Sequence, residues 1–219
     1  MKSLLSRILK YRKKVLSPGD VAELCKTNSV DAYDLFWGDE ALISAYLEPA
    51  RLDSYMTVVN MLREANVCGS KIVDLGFGSG DFLKLLVQSR PECRFEIYGL
   101  DYSKKAVSRA KKIIPMGHFI TGDIYKLPYE YDFFDTVFCI QTLEHLRHPE
   151  LVVKEMDRIC KASGTLVITI PNGEFDSYEG HVNFWSEAEF KRFLEPHNIL
   201  RFESFNENRV FLAILRPVK

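Results

Sequence analysis

The hydrophobic pattern changes its period near residue 70, and this change predicts two structurally different regions. Before it, apolar residues recur at helical spacing over residues 20–66, with breaks expected near Trp37 and at Pro49. After it, short β-branched runs bounded by Gly, Asp or Pro alternate with helical patterns. The predicted strands are residues 71–76, 94–101, 118–123, 135–141, 164–172, 200–206 and 209–216, and the predicted helices between them are residues 80–90, 103–114 and 149–161.

This alternation of strands and helices is typical of a parallel sheet with helices on both faces. A further helix is predicted where Ser186 and Glu189 form a capping-box pattern, just before the last two strands. We therefore expect an α/β fold with a seven-stranded, mostly parallel sheet whose last strand is antiparallel. The expected domains are a basic helix and helical cap over residues 1–66 and the sheet domain over residues 67–219.

The first sixteen residues differ from the rest in charge. They hold six basic residues and no acidic one, and their apolar residues recur near helical spacing. Residues 17–219 then hold 23 basic against 30 acidic residues. The segment 1–16 is therefore predicted to contact an anionic membrane surface, to steer an anionic acceptor, to dock on the acidic body, or to form only a solvated helix.

Composition narrows the function classes further. The chain has 219 residues, 47% hydrophobic and 27% charged, with a net charge of −1, so it lacks the overall basic field that holds nucleic acid. No apolar run approaches the roughly 20 residues that span a bilayer. The five cysteines contain no C-x-x-C pair, which favours reduced thiols and a cytoplasmic location.

The most informative motif follows the first predicted strand. Gly76, Gly78 and Gly80 lie between that strand and a helix, where backbone N–H groups can approach a ligand. A dinucleotide loop needs its third small residue at position 81, but Asp81 occupies it and would repel a pyrophosphate. Asp74, two residues before the loop, favours a cationic ligand group.

Two further acids follow the next two predicted strands. Asp101 stands where a carboxylate can accept hydrogen bonds from both ribose hydroxyls. Asp123 can accept from an adenine amino group, while the N–H of Ile124 donates to the ring. Since the carboxyl ends of parallel strands meet at one edge, the three acids predict one crevice for an adenosine that carries an ammonium group and no phosphate.

The segments VDLGFGSG, YGLDYS, TGDIYKLPY, FDTVFCIQTLEHL and SGTLVITIPN together resemble the successive motifs of class I S-adenosylmethionine-dependent methyltransferases. The resemblance covers residues 70–172 and implies a Rossmann-like fold, S-adenosylmethionine as cofactor and S-adenosylhomocysteine as product. It implies that the cofactor-binding residues are Asp74, Gly76, Phe77, Gly78, Gly80, Asp101, Tyr102, Asp123, Ile124 and Gln141.

An oxygen acceptor must also lose a proton, which requires a base or a metal ion. The candidate catalytic residues are His145 as the first choice of base, its neighbour Glu144, and His181 as the second candidate, although these side chains can equally cap a turn or bond to loop backbone. In ubiquinone-biosynthesis and small-RNA methyltransferases, a Glu-x-x-Glu-His pattern at this point binds a divalent cation. Here Gln141 replaces the first Glu, and a neutral amide is a poorer ligand, so we expect no metal.

Three functions follow from these observations. The first is a methyltransferase acting on an oxygen of a small metabolite, glycan precursor or lipid-like acceptor, as a monomer or homodimer. The second is an RNA 2′-O-methyltransferase, indicated by the stretch from Pro171 to Asp176 followed by a His and an aromatic residue. The third is a non-catalytic module that binds S-adenosylmethionine. The acidic body disfavours nucleic acid as a partner.

Overall fold

The computed structural model describes residue 23, residues 25–67 and residues 69–219. The predicted helix over residues 1–16 lies outside the described residues. Seven α-helices and seven strands are present in the described part. The helices are α1 (Val30–Trp37), α2 (Glu40–Tyr46), α3 (Pro49–Glu64), α4 (Asp81–Ser89), α5 (Lys104–Ile113), α6 (Pro149–Ile159) and α7 (Glu187–Phe193).

The strands form one sheet in the order β3-β2-β1-β4-β5-β7-β6. Strands β1 to β5 run parallel, and β7 pairs antiparallel with both β5 and β6. The predicted fold class, including the antiparallel last strand, is confirmed. The strands are β1 (Lys71–Leu75), β2 (Glu96–Asp101), β3 (His118–Thr121), β4 (Phe134–Ile140), β5 (Cys160–Pro171), β6 (Asn198–Phe205) and β7 (Val210–Arg216).

Local capping explains where several helices begin. Ser29 accepts a hydrogen bond from Ala32 N at the start of α1, and Ser186 with Glu189 forms the predicted capping box of α7. Pro49 lies at the expected break in the helical pattern, because α2 ends at Tyr46 and α3 begins at Pro49. It occupies the first turn of α3, where its missing N–H costs nothing.

The core lies on both faces of the sheet, as the buried parallel strands require. One cluster packs α3, α4 and α5 on the sheet through residues such as Val58, Leu83 and Val107. The other packs α6 and α7 on the opposite face through residues such as Met156 and Phe190. The division at residues 66 and 67 stays a prediction.

The thiols correct one expectation. Cys25, Cys139 and Cys160 are buried free thiols, but Cys93 is disulfide-bonded, so the set is not fully reduced. The absence of a C-x-x-C pair could not reveal a bond between cysteines that are distant in sequence. Within the described ranges, no helix has the length and apolarity needed to cross a membrane.

Candidate active site

A cavity of about 1260 Å³ lies at the carboxyl ends of the central strands, where the strand order reverses between β1 and β4. In open α/β sheets, ligands bind in the crevice beside this switch point. Residues of α1 and of the segment 25–28 line one part of the cavity, and residues between 171 and 182 line another. Single-ligand pockets measure about 300–1000 Å³, so this volume has room for a cofactor and a second small molecule.

Most of the predicted site residues meet in this cavity, and two do not. Gly80 is the N-cap residue of α4, where a Cβ would contact Ala110 and Ile113 of α5. Asp74 is buried below the cavity wall. The predicted residues that line the cavity are Gly76, Phe77, Gly78, Asp101, Tyr102, Asp123, Ile124, Gln141, Glu144, His145 and His181.

The turn after β1 requires glycine where it passes close to its neighbours. Gly76 and Gly78 have φ angles of 76° and 54°, in the left-handed region that glycine adopts readily. A Cβ atom at Gly76 would lie 2.5 Å from Thr142 Cγ2, and one at Gly78 would lie 2.8 Å from Trp37 Cζ2. Helix α1 therefore packs directly on the loop, which only small residues allow.

Asp101 is held in place by the backbone of two loops. Its Oδ2 accepts a hydrogen bond from Gly78 N at 2.9 Å, and its Oδ1 accepts one from Ser103 N at 2.8 Å. Burial raises the pKa of Asp101 to about 6, so the carboxylate is ionised at neutral pH. Each carboxylate oxygen can accept a further hydrogen bond, which suits a ligand with two adjacent hydroxyl groups.

Asp74 is the most strongly perturbed acid below the loop. It is 1% exposed, and its Oδ1 has no hydrogen-bond partner. Burial, reinforced by the nearby Asp101 carboxylate, raises the pKa of Asp74 to about 8. The side chain is therefore neutral at pH 7 and has an unused oxygen beside the glycine loop.

We expect Asp74→Asn to stabilise the protein at alkaline pH. Because the folded pKa lies above the unfolded one, the contribution of this carboxyl group to stability is full below about pH 4 and is lost as pH rises to about 8. The advantage of the variant should therefore grow by at most about 4 kcal/mol between pH 5 and pH 8.

Urea unfolding of both proteins at the two pH values measures this difference. Asp53→Asn, on an exposed position of α3, is the matched control and should behave as the wild type. An equal advantage of Asp74→Asn at both pH values would contradict the assignment of a buried, uncompensated carboxylate.

The cap region is tied to the part of the cavity that contains Asp101. Asp34 Oδ1, in α1, accepts hydrogen bonds from Ser103 Oγ at 2.6 Å and from Lys105 N at 3.2 Å. The ring of Tyr33 lies 5.4 Å from that of Tyr102. Helix α1 is thus part of the site and not only a neighbour of it.

Asp123, which follows β3, is the most exposed of the three predicted acids. Asp123 is exposed at the cavity wall, and its Oδ1 accepts a hydrogen bond from Tyr125 N at 2.9 Å. This bond is the turn-capping role common for Asp. Ile124 is half-buried and lines the cavity beside it.

Glu144, His145 and His181 form a polar cluster in another part of the cavity. A short 3₁₀ turn over Leu143–His145, beginning three residues after the end of β4, carries the first two side chains. One ligand atom from each of the three residues lies within 4.8 Å of the others, and the two imidazole centroids are 4.5 Å apart. The predicted candidates for proton transfer are therefore neighbours.

Burial gives two members of this cluster, Glu144 and His145, unusual charge states. Glu144 is 1% exposed, its Oε2 has no partner, and burial raises its pKa to about 8. Burial, with His181 adding to it, lowers the pKa of His145 to about 4. His145 Nδ1 lies 3.3 Å from the Gly180 carbonyl oxygen and 3.4 Å from the Tyr33 hydroxyl. Both Glu144 and His145 are neutral at pH 7.

Two residues that line the cavity were not among the predicted site residues. Arg51, in α3, places its guanidinium carbon 4.2 Å from the ring centroid of Tyr46. Asp176 binds His181 Nδ1 through Oδ2 at 2.5 Å. Arg51 lies in a helical pattern that gave no reason to place it at the site. Asp176 ends the stretch that suggested an RNA acceptor, but no pattern paired it with His181.

Known proteins resemble the part of the chain that contains the glycine loop, Asp101 and Glu144. A family model described as a methyltransferase domain matches residues 73–168. A demethylmenaquinone methyltransferase of Thermotoga maritima is 35% identical over 111 residues, which are 51% of this chain and 47% of that protein. A ubiquinone biosynthesis O-methyltransferase of Chromobacterium violaceum is 26% identical over 170 residues, 71% of this chain and 68% of that protein.

A solved structure extends the likeness to the fold. An S-adenosylmethionine-dependent methyltransferase from Aquifex aeolicus superposes with a TM-score of 0.66 at 21% identity, over 82% of this chain and 99% of that chain. The chain spans about half the length of several curated relatives that it matches. With the strand order and the motifs, these matches show that residues 73–168 belong to a methyltransferase domain of the class I S-adenosylmethionine-dependent family.

Proposed function

We propose that the chain transfers a methyl group from S-adenosylmethionine to a small hydroxylated aromatic acceptor of the quinol type. One observation carries the proposal. A single cavity contains the glycine loop and Asp101 together with the cluster of Glu144, His145 and His181. The relatives named for demethylmenaquinone and for ubiquinone biosynthesis support this class of acceptor.

The side chains of the cavity fit the parts of this cofactor. Asp101 would accept from the ribose hydroxyls, and Asp123 with Ile124 would bind the adenine edge beside Tyr102. The glycine loop would lie under the methionine part, with Gln141 next to it. Bound S-adenosylmethionine supplies a methyl group already activated on a sulfonium sulfur, so the protein mainly aligns the acceptor and excludes water.

Arg51 is the residue that would bind the methionine carboxylate. Two other cations line the cavity, but Lys26 is paired with Glu179 at 2.6 Å and Arg147 is exposed. Arg51 is half-buried beside Tyr46 and Tyr55 and forms no ion pair with a carboxylate of the described residues. Its charge is thus available to an anionic ligand group.

Arg51→Gln is expected to weaken binding of S-adenosylhomocysteine by about 10-fold or more, because charge-assisted hydrogen bonds contribute roughly 1.5–3 kcal/mol. Binding of 5′-methylthioadenosine, which lacks the amino acid, should not change. Calorimetric titration measures both constants. Arg63→Gln, on the same helix but bonded to Ser89 O away from the cavity, is the control. An equal loss for both ligands would refute this role.

The acceptor hydroxyl needs a proton acceptor near the methyl group, and His181 is the residue that we propose for it. The low pKa of His145 makes that side chain a weak base at pH 7. Glu144 is protonated at this pH and can donate a hydrogen bond to the acceptor. Deprotonation by a positioned side chain contributes about 10²–10⁴-fold to the rate.

A divalent cation at the same cluster is the second candidate for activating the acceptor. The unpaired Glu144 Oε2 and the two imidazoles offer one carboxylate and two nitrogen ligands within 4.8 Å. Such an ion would lower the pKa of a bound hydroxyl group. The neutral Gln141 at the first motif position argues against it, as expected from the sequence.

Chelation separates these two routes. With His181 as base, methyl transfer should proceed equally in EDTA and in added Mg²⁺ or Mn²⁺. Loss of activity in EDTA that Mg²⁺ or Mn²⁺ restores would favour the cation. In that case the Glu144→Gln variant, which lacks the carboxylate ligand, should have only low activity even with the ion added.

The remaining predictions on partners and alternatives stay open to experiment. An RNA acceptor would need a basic surface, whereas the body of the chain is acidic. A non-catalytic role would need a site that binds the cofactor without transferring its methyl group. Contact of residues 1–16 with an anionic membrane, a cytoplasmic location and a monomeric or dimeric state are proposed on the charge pattern and composition alone.

The function is tested with labelled S-adenosylmethionine and a panel of hydroquinones and catechols, followed by mass spectrometry of the products. We expect a methyl ether from at least one acceptor and no labelling of single-stranded RNA. A protein that binds the cofactor but labels no acceptor would support the non-catalytic role, and labelled RNA would support the second hypothesis.

A further inference from the structure

Asp176 is not one of the three cluster residues, but its carboxylate is hydrogen-bonded to the imidazole of His181. Its Oδ2 lies 2.5 Å from His181 Nδ1, and the two side chains are only 11% and 12% exposed. A carboxylate can only accept a hydrogen bond, so the proton of neutral His181 lies on Nδ1. The nitrogen left with a free lone pair is therefore Nε2.

The carboxylate is itself fixed to the end of β5. Asp176 N donates to Asn172 O at 3.0 Å, and Asp176 Oδ1 accepts from Tyr178 N at 3.1 Å. Asn172 is 1% exposed and bonds through its side chain to Asn208 O and Glu174 N. Asp176 is thus anchored to the sheet, although the segment around it is a loop.

A hydrogen bond to Nδ1 also fixes the tautomer of the second imidazole of the cluster, His145. His145 Nδ1 lies 3.3 Å from the Gly180 carbonyl oxygen, which also can only accept. The N–H of neutral His145 therefore lies on Nδ1 as well. Asn28 Nδ2 donates to the same Gly180 oxygen at 2.7 Å, so the cap segment helps to fix this carbonyl group.

We propose that Asp176 is a positioning residue that holds His181 in the tautomer and orientation presenting Nε2 to the acceptor. This inference rests on the proposed methyl transfer, in which Asp176 would act only through His181. Carboxylates that hold the far nitrogen of a functional histidine fix its tautomer and orient its ring.

The proton balance of the transfer assigns a second effect to the same carboxylate. The acceptor oxygen forms its bond to the methyl carbon while the carbon–sulfur bond breaks, and that electron pair remains on sulfur. The acceptor proton passes to His181 Nε2, which leaves an imidazolium bonded to Asp176. The negative charge of Asp176 stabilises this cation, and solvent later takes the proton.

The chain contains a matched control for this pair. His197 Nε2 lies 3.1 Å from Asp157, and His197 is buried outside the cavity lining. Asp157→Asn therefore removes a carboxylate from an Asp–His pair that takes no part in the proposed reaction. Any general effect of such a loss on folding appears in both variants.

The first test needs no acceptor. Long-range ¹H–¹⁵N spectra of the protein labelled at histidine nitrogens and loaded with S-adenosylhomocysteine report the tautomer, at a pH well above the ordinary histidine pKa. We expect His181, assigned by its loss in His181→Gln, to carry its proton on Nδ1 in the wild type and in Asp157→Asn. In Asp176→Ala, this single-tautomer signature should disappear.

The second test is kinetic, with the acceptor identified from the panel. Asp176→Ala is expected to lower kcat by about 10- to 100-fold with little change in KM or in binding of S-adenosylhomocysteine. Asp176→Asn, which keeps an oxygen acceptor, should retain more activity. A wild-type His181 with its proton on Nε2, or a tautomer unchanged in Asp176→Ala, would overturn the proposal. Failure of all methyl transfer with an intact signature would instead count against the proposed function.

Discussion

Replacement of His181 by alanine is expected to lower kcat by about 10²–10⁴-fold while the affinity for S-adenosylhomocysteine stays near that of the wild type. The physical reason is that His181 is the member of the cluster with a bound carboxylate, Asp176, to stabilise the charge it gains. His145→Ala should have the smaller effect on kcat, because burial lowers the pKa of His145 to about 4 and makes it a weak proton acceptor.

His148→Ala is the control for this series, since His148 also lines the cavity but is exposed at its edge. Its kcat should remain within a few-fold of the wild type. A larger loss for His145→Ala than for His181→Ala would mean that the two roles are reversed. Equal and complete losses for His145, His181 and Glu144 variants would point to a shared cation.

Gly76→Ala should be the most damaging substitution in the glycine loop. A residue with a Cβ at this positive φ costs roughly 1–2 kcal/mol, and the new atom would also meet Thr142 Cγ2 at 2.5 Å. Thr142 lies two residues after the end of β4 and lines the cavity, so the shift that it must make would disturb the cavity wall. We expect a loss of about 2–4 kcal/mol in unfolding free energy and a weaker affinity for the cofactor.

Gly80→Ala separates the backbone cost from the clash. Gly80 has a φ of 78°, similar to that of Gly76, but a Cβ there would meet no atom closer than 3.4 Å. Its loss in stability should be about 1–2 kcal/mol. Chemical denaturation and calorimetric titration of the two variants measure the difference, and equal stability losses would mean that the contact with Thr142 is not what requires glycine.

The parts of the fold that depend on local pattern could be predicted from the sequence. The strands read as apolar β-branched runs because parallel strands are buried on both faces, and the capping box at Ser186 marked the start of α7. The break predicted at Pro49 is also present, because proline is disfavoured inside a helix and favoured in the first turn of the next one.

The meeting of most of the proposed cofactor-binding residues in one cavity could also be predicted, because these residues occur at strand ends in a fixed order. Asp101 is the clearest case, with both carboxylate oxygens held by loop backbone. The charge state of Asp74 could not be predicted, since it depends on complete burial beside a second acid. A sequence indicates which groups can titrate but not how far each lies from water.

The residues of the proposed acceptor half could be predicted from the sequence only in part. Glu144 and His145 belong to a motif after β4, whereas Arg51 and Asp176 reach the cavity through tertiary packing of a helix and a loop. Their distances in sequence from the residues that they contact follow no period. The same limit applies to the disulfide at Cys93, which the cysteine spacing did not indicate.

The central claim is that the cavity binds S-adenosylmethionine through the carboxylate of Asp101, and titration calorimetry on the wild type and Asp101→Asn tests it most directly. We expect saturable binding to the wild type, no binding of NAD, and an affinity at least about 10-fold lower for the variant, whose amide loses the charge that strengthens hydrogen bonds to the ribose. No heat of binding at millimolar cofactor, or the same affinity in Asp101→Asn, would contradict the account.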